Sequence, residues 1–116
     1  MASFSRLETL LSTIASGITG IGLYKDYGIK TPELTYFVEM VGKIRVSADA
    51  LTPPPLMKGD NDMINDVYSR VIARLPELAQ DDIPEEVLEE ALKDARELHI
   101  LLSAVYSGAR TQLVSV

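Results

Sequence analysis

Leu88, Ala91, Ala95, Leu98, Leu102, Val105 and Ala109 follow one another at spacings of 3, 4, 3, 4, 3 and 4. That period is the seam of a helix packed nearly parallel to another helix. It predicts a helix over 83–108, about 40 Å long at about 1.5 Å per residue. Asp82-Ile83-Pro84-Glu85 has capping-box spacing and is expected to open it, and Gly108 to close it. The first half of this helix is acidic, whereas Leu98 to Ala109 carries no charge when His99 is neutral. A helix that changes from half-polar to apolar around most of its girth is expected to pass from flanking a core to being surrounded by one. Glu89 and Lys93 form a favourable i, i+4 pair, while Glu86, Glu90 and Asp94 make a like-charged row expected to face water.

Three further helices precede it. Ser5 with Glu8 has capping-box spacing and predicts a first helix over 4–24, with Leu7, Leu10, Leu11, Ile14, Ile18 and Ile21 as its apolar stripe. Ser12, Ser16 and Gly20 lie four apart on the same helix, with Gly17 beside them. Small residues let another backbone approach closely, which suits a tight crossing inside one chain, a subunit contact or a membrane-active segment. Thr31-Pro32-Glu33 is the clearest helix start in the chain: a cap, a proline where no N–H is missed, and an acid at the positive end of the dipole. The second helix is predicted over 32–51, with Leu34, Phe37, Val38, Val41, Ile44, Ala48 and Leu51 buried, and Thr52-Pro53-Pro54-Pro55 ends it.

A proline-rich connection follows, in which Gly59 permits a turn. Asp60-Asn61-Asp62 resembles a calcium loop briefly, but the sixth position is Asn65 and the twelfth is not glutamate. These residues read as caps for a third helix over 62–75, with Ile64, Val67, Tyr68, Val71, Ile72 and Leu75 inward. Pro76 breaks it, and Glu77 to Gln80 can add one turn. The C-terminal tail ends Leu113-Val114-Ser115-Val116, an apolar run able to pack on its own bundle or on a neighbour.

Composition narrows the classes. A chain of 116 residues is one domain, 1–116, able to bury about two-thirds of its unfolded surface without staples. Cysteine is absent, which removes disulfides, thiol chemistry and thiolate-bound metals. The net charge is −6, and residues 51–116 carry all of the excess, with twelve acids against six bases. Direct nucleic-acid binding through phosphates is not expected of such a balance. Leu10 to Tyr24 is 15 uncharged residues, short of the roughly 20 that span a bilayer, and with one Arg before it and no clear small-residue cleavage site it is not expected to act as a signal peptide.

The candidate chemistry is thin. With one histidine and no cysteine, common zinc sites are out of reach unless carboxylates supply the rest, and Glu-x-x-His sets for a di-iron bundle are missing. No glycine-rich loop follows a strand, so nucleotide fingerprints are absent. His99, between Leu98 and Leu102, reads as a structural histidine. No enzyme activity, cofactor or metal is expected.

The fold expected is all-α, an antiparallel bundle of four principal helices with a short tail. The leading expectation for function is a non-catalytic subunit acting through protein–protein contacts in a homo-oligomeric assembly, in the cytoplasm or within a particle. Small helical subunits of virus and phage particles and of adaptor rings are analogies of fold only. The expected interface is Ser12, Ser16, Gly20, Leu98, Leu102, Val105, Leu113, Val114 and Val116. The alternative is an acidic antagonist presenting Asp60 to Asp94, with Glu86, Glu90 and Asp94 as its face, to a basic site. A third is membrane contact through the first helix.

Overall fold

The computed structural model describes residues 2–43 and 58–114, with side chains over 8–43 and 62–107. Every regular element among them is helical: α1 Ala2–Tyr27, α2 Pro32–Met40, α3 Lys58–Ala73, the single turn α4 Leu75–Leu78, and α5 Glu85–Val114. The molecule is all-α, with α1 and α5 as the central pair. α2 packs on α1, and α3 packs on α5 with α4 bridging them. The long axis of 49 Å is close to the length of α5 alone, whose 30 residues rise about 1.5 Å each.

The seam carries the core as its spacing predicts. Leu88, Ala91, Ala95, Leu98, Leu102 and Val105 are buried, together with Leu10, Ile14 and Ile21 of α1 and Leu34, Phe37 and Val41 of α2. Ile64, Val67 and Val71 of α3 complete it. Each fully buried Leu or Ile contributes about 2 kcal/mol of transfer free energy, so this cluster is the main reason for the fold.

The helix ends depart from the sequence reading in instructive ways. α1 starts at Ala2, so Ser5 lies inside the helix and does not open it. The helix runs on to Tyr27, where Gly28, at φ 68°, turns into the left-handed region and donates its N–H to the Tyr24 carbonyl at 2.7 Å. Replacing Gly28 with alanine should cost about 1 kcal/mol, because a Cβ is strained at that φ. Chemical denaturation measures it.

Thr31 caps α2 as expected, its hydroxyl oxygen accepting from the Leu34 N–H at 3.4 Å. α2 then stops at Met40, followed by a turn over 41–43, rather than running to Leu51. The end of α2 is a tertiary contact: the Tyr68 hydroxyl donates to the Val41 carbonyl at 3.0 Å, a donor from α3 and not from its own helix. Ile44, Ala48, Leu51 and the proline run lie outside the described residues.

α3 begins at Lys58, so Gly59 and Asp60-Asn61-Asp62 sit in its first turns instead of preceding it. Pro76 has no N–H for the Ile72 carbonyl; α3 breaks at Arg74, and Leu75–Leu78 adds the single extra turn. α5 begins at Glu85, the Leu88 N–H donating to Pro84 at 3.2 Å, which puts Pro84 and not Asp82 at the cap. It continues through Gly108 to Val114.

Candidate interaction surface on the long helix

The small residues of α1 act inside the chain. A Cβ on Gly17 would meet the Phe37 ring at 2.3 Å, and one on Gly20 would meet the Leu34 backbone N at 2.6 Å. The close approach is thus α1 against α2, through Gly17 and Gly20. Ser12 is exposed and Ser16 half-buried, so the four-apart row is not the contact line. Leu98, Leu102 and Val105 are also internal, each no more than 3 % exposed, and offer nothing to a partner. Leu113 and Val114 are helical, but their side chains, like Val116 as a whole, lie outside the described residues.

The acidic row is broken by its own chain. Asp94 is 4 % exposed, so it does not face water. Arg74 of the α3–α4 corner donates from Nε to Asp94 Oδ2 at 3.2 Å and contacts Glu90 with its terminal nitrogen. Arg70 reaches Asp94 Oδ1 at 3.5 Å, Glu97 at 3.7 Å and Asp66 at 3.4 Å. Two arginines therefore pin α3 to the middle of α5. Burial works against the Arg74 charge, but its hydrogen bond to Asp94 and the Glu90 and Asp94 carboxylates outweigh this and raise its pKa above the ordinary value. Arg74 stays charged at any pH compatible with folding.

At the other end, Tyr24 closes α1 onto the turn before α5. Its hydroxyl accepts from the Ile83 N–H at 3.2 Å and donates to the Asp81 carbonyl at 3.4 Å. Lys30 donates to the neighbouring Gln80 carbonyl. Tyr24→Phe should lower stability by about 1–2 kcal/mol, because it removes the acceptor from the N–H of the buried Ile83. Urea denaturation with an unchanged helical spectrum would show it.

Tyr27, Ile29, Tyr36 and Met63 are exposed elsewhere, and the outward stripe of α5 adds charge to an exposed apolar side chain. Glu86, Glu89, Lys93, Arg96 and Ile100 repeat at 3, 4, 3 and 4, and all are exposed. Ile100 lies two residues beyond Leu98, about 200° round the helix, which turns it away from the core. It is 68 % exposed. The apolar half of α5 is therefore not surrounded, contrary to the expectation from its composition; Ala104 and Ser107 are exposed as well. An open recess of about 500 Å³ sits on this side, with Leu92 and Leu101 beneath Lys93, Arg96 and Ile100.

Glu89 is held by Lys25 of α1 at 3.6 Å rather than by Lys93. Among the described residues Lys93 and Arg96 have no ion-pair partner. Sequence reading missed this trio. The available signal was that Ile100 falls off the seam while its neighbours Leu98 and Leu102 fall on it.

His99 is half-buried, with Ser103 Oγ 3.5 Å from its Nδ1. Among the described residues no three His, Asp or Glu side chains are grouped to hold a metal, and no helix is long and apolar enough to cross a membrane. Comparison of the chain with family models, with curated proteins and with solved structures returned no match in any of the three.

Proposed function

We propose that the protein is a non-catalytic helical subunit that works through protein–protein contacts, in the cytoplasm or within an assembled particle. One observation carries the reading: α5 closes its seam inside the chain yet holds Ile100 out to water on its opposite side. An isolated exposed Ile is ordinary. One set over an apolar floor and beside two cations with no ion-pair partner among the described residues, at mid-length of a long helix, suits a contact surface.

Self-assembly through the seam loses its motive, because Leu98, Leu102 and Val105 are already covered. The outer side of α5 takes that place. The acidic-antagonist reading keeps a narrower footing, on Asp81, Asp82, Glu85 and Glu86, which are exposed at the start of α5. Binding of that kind would weaken steeply with salt.

The test is native mass. In a gentle extract of the cells or particles that make it, the protein should elute well above its 12.7 kDa chain mass. Elution as the bare chain at every concentration would remove the contact reading.

A further inference from the structure

Granting that the protein works through protein contacts, we propose that the outer face of α5 at Lys93, Arg96 and Ile100 takes an acidic, apolar-anchored helical segment of a partner protein. The local charge argues for the sign. The chain as a whole is at −6, yet around this recess Glu89 is answered by Lys25 and Glu97 by Arg70, while Lys93 and Arg96 answer nothing among the described residues. The recess is thus lined by Lys25, Lys93 and Arg96 against Glu89 and Glu97, a slight basic excess in an acidic protein.

Its shape argues for the occupant. Lys93 and Arg96 are neighbours on the helix surface, three apart, and Ile100 lies about one turn beyond Arg96. A segment with two acids one turn apart and an apolar side chain on the next turn meets all three at once. The apolar side chain settles against Ile100, Leu92 and Leu101, and the acids meet the cations.

A flat anionic surface fits less well. A membrane or a nucleic acid laid on this side would press on the exposed Glu86 as well as on Lys93 and Arg96. A second copy brings another −6 to the same place. A short acidic segment lying along α5 from Lys93 to Ile100 stops short of Glu86 and brings only its own few charges.

The experiment selects random peptides of about 16 residues, displayed on phage, against the full chain at low salt. Enriched peptides, made synthetically and labelled, are then titrated by fluorescence polarisation. Expected are acidic peptides with an apolar residue at helical spacing. Their binding should fall on the order of tenfold or more in the K93E/R96E double variant and in Ile100→Asp. Both variants change exposed side chains, so their thermal unfolding should stay close to that of the parent, which keeps the test clear of misfolding.

Enrichment of basic peptides, no enrichment, or binding indifferent to these variants would overturn the assignment. So would self-association, or binding to vesicles containing an anionic lipid, that the same variants abolish. If the native protein still elutes as a large complex in those cases, the contact reading stands and only this surface falls. If it elutes as the bare chain, both fall.

Discussion

Arg74→Met should destabilise the fold by about 2–3 kcal/mol, a fall in Tm of about 10 °C. Asp94 is nearly enclosed, and Arg74 is its nearest donor at 3.2 Å. Removing that donor leaves a carboxylate out of water with Arg70 alone, at 3.5 Å. Stranding a buried charge is more costly than losing the pair, so the size of the effect comes from Asp94 and not from the arginine. Arg70→Met should cost less, below about 1 kcal/mol, because Arg70 is half in solvent and shares itself among three acids. The double variant Arg74→Met with Asp94→Leu should recover most of the loss, since it replaces the pair by apolar volume. Thermal and urea unfolding of the three variants checks the order. An Arg74→Met variant as stable as the parent would show that Asp94 is not held by this arginine.

Gly20→Ala and Gly22→Ala, two residues apart on α1, should move stability in opposite directions. A Cβ at Gly20 would stand 2.6 Å from the Leu34 nitrogen and 2.8 Å from its Cα. Those are backbone atoms of α2, so no side chain can turn aside and the whole helix must retreat. Overpacking of this kind costs about 1–3 kcal/mol beyond the roughly 1 kcal/mol that alanine gains in a helix. At Gly22 a Cβ meets nothing within 4 Å, and the helix gain of about 0.5–1 kcal/mol is expected to appear alone. Gly17→Ala should resemble Gly20→Ala, because the Phe37 ring it would strike is itself 1 % exposed and has little room to turn. Urea midpoints of the three variants make the comparison, and equal shifts at positions 20 and 22 would contradict the crossing.

What could be read in the sequence was what is local or periodic. The α5 seam repeats every three or four residues and is buried from Leu88 to Val105. Thr31-Pro32 starts α2 because a cap acts within one turn. Pro76 breaks α3 through its own missing N–H. The readings that failed depended on another helix. α2 ends at Met40, where Tyr68 of α3 bonds the Val41 carbonyl, and no pattern within 32–51 contains that hydroxyl. Asp94 belongs by spacing to a solvated row, and it is buried because Arg70 and Arg74 arrive from α3. The small residues of α1 were recognised, but the contact runs through Gly17 and Gly20, and which pair meets α2 depends on how the two helices cross.

The candidate surface was hidden for a related reason. An uncharged stretch from Leu98 to Ala109 looks buried all round when it is read alone. It becomes one-sided once α1 and α3 are placed and Ile100 proves to be left exposed.

One chain closes the α5 seam by itself and leaves Ile100 exposed on the opposite face. Backbone amide exchange over Leu88 to Val105, followed across about a hundredfold range of protein concentration, tests it most directly. Expected is the strongest protection in the molecule, unchanged by dilution. Protection that falls on dilution would mean that Leu98, Leu102 and Val105 are completed by a second copy, and would contradict the claim.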